Sequence, residues 1–250
     1  MRTTFALAAS LLLPLALHAQ DERRVSSPNG EVEFRILVAQ PNDGGLGQLA
    51  YQVYYRGKPA LDYSWMGIDI YNQQPLLGEK PGLTHWSKDT TSVGPYHSML
   101  LEYLQDGTVG RRINVEVRAY DDGVAFRYLI PRVTPLYDIP IHDEGTGFSI
   151  VGADAVASTK VNTPFDLPFV TATPGPGWVA IAEIPIANFP RMHLVHAGGT
   201  DLMSRLAPGK DDPLIAYQGV TPLTCPWRLI IFGFDKEHLG QSITFRDMNH

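Results

Sequence analysis

Carboxylates Asp121 and Asp122 stand side by side, histidines His193 and His196 stand three apart, and Cys225 is the only thiol in 250 residues. Two carboxylates can act as acid and base only if both face one reacting bond. Asp121 and Asp122 lie in a segment with the composition of a turn, Tyr120-Asp121-Asp122-Gly123, and are expected to shape the chain. A histidine pair can grip zinc, but residues three apart on a strand point to opposite faces. His193 and His196 are therefore expected to be ordinary histidines. Cys225 sits between Leu223 and the apolar run Leu229-Ile230-Ile231-Phe232, and is expected to be a buried small side chain. One cysteine permits no intrachain disulfide. Trp65, Trp86, Trp178, Trp227 and the tyrosines from Tyr51 to Tyr55 offer flat apolar faces of the kind on which sugar rings pack. Trp86, in the expected polar loop Thr84-His85-Trp86-Ser87-Lys88, is the expected exposed platform, whereas Trp227 is expected inside.

The elements that position these groups read as strands. Ile113, Val115, Val117 and Ala119 alternate with Asn114, Glu116, Arg118 and Tyr120. After the turn Val124, Phe126, Tyr128 and Ile130 repeat the period of two, which predicts a half-buried hairpin. Gly123 is expected to supply the positive φ of a tight turn. Further strands are predicted at Val32–Ile36, Leu49–Tyr55, Gly67–Tyr71, Ser98–Tyr103, Trp178–Ile184, Met192–Val195 and Leu229–Phe234. The stretch from Gly152 to Gly177 holds Pro164, Pro168, Pro174 and Pro176 and is expected to form long crossing loops. No segment shows sustained helical periodicity, so the expectation is a large all-β sandwich with little helix, filling residues 20–250 as one domain.

Residues 1–19 read as a secretory signal: Arg2 precedes the apolar run Phe5 to Leu17, and Ala19 offers a small cleavage residue. That run is shorter than the roughly 20 residues of a membrane span. A periplasmic or secreted location is expected. The chain carries 20 Lys and Arg against 26 Asp and Glu, a net charge of −6. Removing Arg2 with the leader leaves the remainder one charge more negative. A weakly acidic chain without a basic patch argues against nucleic acid or anionic membrane as partner, and suits a neutral oligosaccharide or polysaccharide.

Four blocks in order carry a family resemblance: Ser27-Pro28-Asn29-Gly30, Tyr54-Tyr55-Arg56-Gly57-Lys58-Pro59, the hairpin, and Cys225-Pro226-Trp227-Arg228. Ala182-Glu183-Ile184 and Phe189-Pro190-Arg191-Met192 lie between the last two. The chain resembles the N-terminal domain of glycoside hydrolase family 97, a family of α-glucosidases and α-galactosidases. The resemblance implies a galactose-mutarotase-like supersandwich that packs on a separate catalytic barrel carrying the carboxylates. It also implies that Glu183 helps hold a calcium ion beside the sugar. The family's His-Glu-Ala reads Ala182-Glu183-Ile184 here, so the glutamate is present and the histidine is not. Calcium takes six to eight oxygens, so one carboxylate could supply only part of a composite site. The competing reading is a charged residue at an exposed strand position. Where the family has Trp-Gly-Glu and Arg-Asn-x-Tyr-Asn-Glu segments, this chain has Val93-Gly94-Pro95-Tyr96-His97-Ser98-Met99.

These readings give Trp86, Tyr96, His97 and Glu183 as candidate carbohydrate contacts, Glu183 as candidate calcium ligand, and no catalytic residue. The leading expectation is a carbohydrate-binding sandwich that is non-catalytic alone. The alternatives are the accessory half of a split or truncated glycosidase, with Glu183 lent to a separate barrel, and a mutarotase-like epimerase pairing Glu183 with His193 or His196.

Overall fold

The computed structural model describes residues 20–41, 44–91, 94–105, 111–132 and 137–249. The expected leader, residues 1–19, lies outside them. The chain begins with strands β1 (Gln20–Ser26), β2 (Val32–Ala39), β3 (Gln48–Tyr55), β4 (Lys58–Trp65), β5 (Ile68–Ile70) and β6 (Pro81–Asp89). Next come β7 (Tyr96–Gln105), β8 (Arg112–Tyr120), β9 (Gly123–Ile130), β10 (Asp138–Glu144) and β11 (Gly147–Ile150). A single turn of helix, α1 (Asp154–Ala157), precedes β12 (Pro164–Phe165), β13 (Phe169–Thr173), β14 (Gly177–Ile184), β15 (Met192–Gly198) and β16 (Asp201–Leu206). The chain closes with β17 (Tyr217–Val220), β18 (Leu223–Thr224), β19 (Trp227–Phe232) and α2 (Ile243–Met248). Among the described residues the longest helix has six residues, so the fold is all-β as expected.

One eight-stranded sheet runs β1-β2-β3-β4-β11-β16-β15-β12, and a second runs β13-β14-β19-β9-β8-β7-β6 with β18 added on β9. A small third sheet, β17-β10-β5, lies between them in sequence. Every pairing is antiparallel, as short turns between alternating strands require. Inward positions from all three sheets form one apolar core. An aromatic bridge ties the two large sheets together: Phe34 of β2 stacks on Tyr51 of β3 at 5.3 Å, and Tyr51 meets Phe126 of β9 at 5.2 Å.

The hairpin forms as read: Ile113, Val115, Val117 and Ala119 are buried with Val124, Phe126, Tyr128 and Ile130. Its glycine acts differently from expectation. Gly123 is not among the residues with positive φ. A Cβ there would lie 2.5 Å from the Ile230 carbonyl oxygen and 2.8 Å from Thr244 Oγ1, so glycine is required by close approach. The turn carboxylates tie the hairpin to its surroundings. Asp121 accepts the Asn29 N–H at 2.9 Å, joining the first and third blocks of the family resemblance. Asp122 accepts N–H bonds from Ile243 and Thr244 at 2.7 and 3.1 Å, at the positive end of α2, while Ser242 caps that helix through Phe245 N–H.

Two local expectations are corrected. Thr84 to Lys88 is part of strand β6, not a loop. Both faces of this edge strand are exposed, so no apolar alternation marks it, and the ladder to β7 alone makes it a strand. Gly152 to Gly177 contains α1, β12 and β13 as well as loops, because its short strands pair with neighbours far along the chain or across a tight turn. The last predicted strand ends at Phe232, where Gly233 takes φ +84°.

Candidate functional site

Glu183 and Arg228 stand directly opposite each other on β14 and β19. Opposed residues of an antiparallel pair share a face, and here that face is the inside of the sandwich. Arg228 is completely buried. Its Nη1 donates to Glu183 Oε2 at 2.6 Å, while Nε and Nη2 donate to Glu144 Oε1 and Oε2 at 2.9 and 2.5 Å. The bidentate pair with Glu144 and the single bond to Glu183 engage each of the three guanidinium nitrogens. Arg191, in the loop before β15, brings Nε to within 2.6 Å of Glu183 Oε1, and the Met192 N–H bonds to the same carboxylate at 3.2 Å. Two carboxylates and two guanidiniums thus form a neutral chain from the core to the surface. Burial opposes the charge on Arg228, yet Glu144 and then Glu183 hold its pKa above the ordinary value.

A second layer of neutral groups supports this chain. Thr146 Oγ1 donates to Glu144 Oε1 at 2.8 Å and accepts from the Tyr128 hydroxyl at 2.7 Å. Ser204 Oγ donates to the Glu144 carbonyl at 2.7 Å and accepts the Thr146 N–H. Burial, then the nearby Glu144 charge, pushes up both the Tyr128 phenol and the Cys225 thiol. Cys225 is fully buried, as its apolar flanks predicted.

Glu183 is therefore not at an exposed strand position. Its side chain is 1% exposed, and both oxygens are engaged by cations and an amide. Within this chain the donor set does not fit calcium, because two arginines occupy the Glu183 carboxylate. Among the described residues no group of three or more His, Cys, Asp or Glu is arranged to hold a metal ion. Nor is Glu183 hydrogen-bonded to a histidine. On β15 His196 points inward, its ring nitrogens 3.1 Å from Thr159 Oγ1 and the Gly199 carbonyl, while His193 lies on the other face.

The aromatic candidates lie elsewhere. Trp86 on β6 is 41% exposed, with the Arg23 guanidinium 5.2 Å above its ring. Tyr96, at the start of β7, packs on Tyr120 at 5.1 Å and beneath Arg118. His97 Nδ1 is 2.8 Å from the Ser26 carbonyl. Trp227 is buried beneath Arg118 and Arg127, whose guanidiniums lie 4.7 and 4.3 Å from its ring. From β14 to β6 the sheet order counts five inter-strand steps. At about 4.8 Å each these separate Glu183 from Trp86 by roughly 24 Å. The four candidate contacts are not brought into one site.

Sequence reasoning missed Arg228 and Glu144. The signal for Arg228 was available. In Trp227-Arg228-Leu229-Ile230-Ile231-Phe232 the arginine shares a face with Ile230 and Phe232, and an inward cation in such a strand demands a buried anion. Glu144 gave no comparable signal, because β10 mixes polar and apolar residues at short intervals.

Fold and site together define an all-β sandwich in which the buried charges of Glu144, Glu183 and Arg228 are committed to one another. The family described as Glycosyl-hydrolase 97 N-terminal matches residues 25–164, and this chain belongs to that family. It is 31% identical over 150 residues to a probable retaining alpha-galactosidase of Streptomyces bingchenggensis (strain BCW-1), covering 52% of this chain and 23% of that protein. Its fold is similar to that of a Glycoside Hydrolase Family 97 enzyme from Pseudoalteromonas sp. strain K8, solved with acarbose. That likeness has a TM-score of 0.75 at 18% identity, over 91% of this chain and 38% of the enzyme. A beta-arabinopyranosidase structure matches with a TM-score of 0.65, also at 18% identity, over 86% of this chain and 40% of that one. The chain thus spans well under half the length of these relatives.

Proposed function

We propose that this domain is a secreted or periplasmic carbohydrate-recognising sandwich that binds neutral α-linked oligosaccharides and hydrolyses none by itself. The observation that carries this reading is the division of its chemistry. Glu144 and Glu183 are neutralised inside the sandwich, whereas indole surface is displayed outside at Trp86 and Trp178, 41% and 39% exposed. Hydrolysis of a glycoside needs two carboxylates flanking the scissile bond, and this pair flanks an arginine. Membership of a glycosidase-associated family, and a relative named as a probable alpha-galactosidase, support a glycan partner. The test is a glycan array probed with the purified chain, alongside an assay for released sugar. Binding to neutral α-linked oligosaccharides without cleavage is expected. Cleavage by the purified chain, or an array without a single bound glycan, overturns the reading.

A second reading places the domain against a separate catalytic barrel, with Glu183 lent to a composite calcium site. What favours it is Arg191, which is 62% exposed at its side chain and screens Glu183 from solvent at one end of the buried chain. A docking partner that displaced Arg191 would gain access to Oε1. Mixing the chain with a family barrel should then raise calcium affinity, and Glu183→Gln should cut that gain at least about tenfold. Equal affinity for the two mixtures removes this reading.

A further inference from the structure

The two large sheets end side by side at β12 and β13, the last strand of each. Phe165 of β12 meets Phe169 of β13 edge to face at 5.0 Å and closes the sandwich there. Outside this pair lies an open cleft of about 560 Å³, lined by Phe165, Asp166, Phe169, Val170, Trp178 and the loop Asp235-Lys236-Glu237. Its size falls within the range of roughly 300–1,000 Å³ found for small-molecule sites, and its make-up is that of such sites, an aromatic wall with a few polar groups.

The geometry points to this cleft as the oligosaccharide site of the domain, with Trp178 as stacking platform and Asp166, Lys236 and Glu237 as hydroxyl partners. This assignment rests on the carbohydrate reading above and names where it is executed. Trp178 differs from the other large aromatics. Trp86 carries Arg23 over its ring and Trp227 is buried under two arginines. Among the described residues no ring or cation stacks on Trp178, although 39% of it is exposed. Its position is held from behind, because its carbonyl accepts the Gly233 N–H at 2.9 Å and β14 is paired on both sides.

The polar rim selects among ligands. Asp235 is committed to its own turn, accepting N–H bonds from Glu237 and His238 and contacting the His238 ring at 2.7 Å. Asp166 and Glu237 remain as acceptors, with Lys236 as donor. Carboxylates outnumber the one cation, so a phosphate-bearing ligand is repelled. A neutral polyol donates hydroxyl protons to carboxylates and lays its C–H face on the indole, satisfying both halves of the cleft.

The test titrates panose, an α-linked gluco-trisaccharide, and raffinose, an α-galactosyl trisaccharide, into ¹⁵N-labelled protein. The Trp178 indole N–H resonance is expected to move with at least one sugar. Trp178→Ala should weaken that binding about tenfold or more, the scale of losing a central aromatic anchor. Asp166→Asn should weaken it severalfold, with the remaining spectrum unchanged as a check of folding. Sugar binding that survives Trp178→Ala and moves resonances elsewhere removes this site and leaves the carbohydrate reading standing. If neither trisaccharide moves any resonance while the array detects other glycans, the site as assigned to α-linked sugars falls. Silence in both experiments removes the two together.

Discussion

Replacing Arg228 with methionine is expected to cost about 3–5 kcal/mol of folding stability, the range for breaking a buried ion pair by removing one partner. Domains of this kind have about 5–15 kcal/mol in total, so the variant should unfold at a much lower urea midpoint or fail to accumulate. Methionine fills most of the volume, so the penalty comes from charge. Glu144, 2% exposed at its side chain, loses both hydrogen bonds that Arg228 donates to it, and Glu183 keeps only Arg191 and the Met192 amide. Combining Arg228→Met with Glu144→Gln and Glu183→Gln removes the stranded anions and should restore a large part of the loss. A single variant within about 1 kcal/mol of the parent in urea titration would show that water reaches these carboxylates and that the chain of charges is not a structural support.

The two ends of the same chain should respond unequally. Glu183 faces Arg191, whose side chain is mostly in solvent, whereas Glu144 is enclosed by Thr146, Ser204 and Arg228. An ion pair open to water at one end is screened, and an enclosed one is not. The polar interior therefore has a firm end at Glu144 and an adjustable end at Arg191.

How much of this was legible in the sequence depended on which side of each strand met water. The hairpin could be read residue by residue, because one face is buried and the other is not, and Ile113 to Ala119 alternate accordingly. Edge strand β6 could not, because an exposed strand carries no burial pattern, so Trp86 was placed on a loop. Strands β12 and β13 were hidden by prolines, and with them the cleft that Trp178 overlooks. Glu183 was singled out through the family resemblance, but its partner across the ladder was not. Periodicity locates a buried face; it does not say which distant strand supplies the opposite charge. Gly123 was expected to supply a positive φ, whereas close approach of β19 and Thr244 is what requires glycine there. Composition indicates that a residue must be small without saying whether φ or a neighbouring atom imposes it.

That distinction gives the second large effect, from Gly123→Ala. The added Cβ meets the Ile230 carbonyl oxygen at 2.5 Å, Thr244 Oγ1 at 2.8 Å and the Ile231 Cα at 3.2 Å. Two of these atoms are backbone of β19, paired with Gly123 in the ladder, so relief requires opening the β9–β19 seam. Moving Thr244 instead disturbs its bonds to Asp122, which hold the start of α2. Overpacking at such a site costs about 1–3 kcal/mol, and the upper end is expected because backbone has to move. Gly30→Ala provides the contrast. Gly30 has φ +76° with nothing within 4 Å of a built Cβ, so its cost is the conformational term alone, about 1–2 kcal/mol. Urea titrations of the two variants separate the causes. Adding Thr244→Ser, which trims only a methyl, should not relieve Gly123→Ala. Adding Thr244→Ala, which removes the hydroxyl oxygen, should relieve it only in part, since the Ile230 carbonyl remains. Full recovery with Thr244→Ala would place the whole conflict at the helix and free the β19 backbone from it.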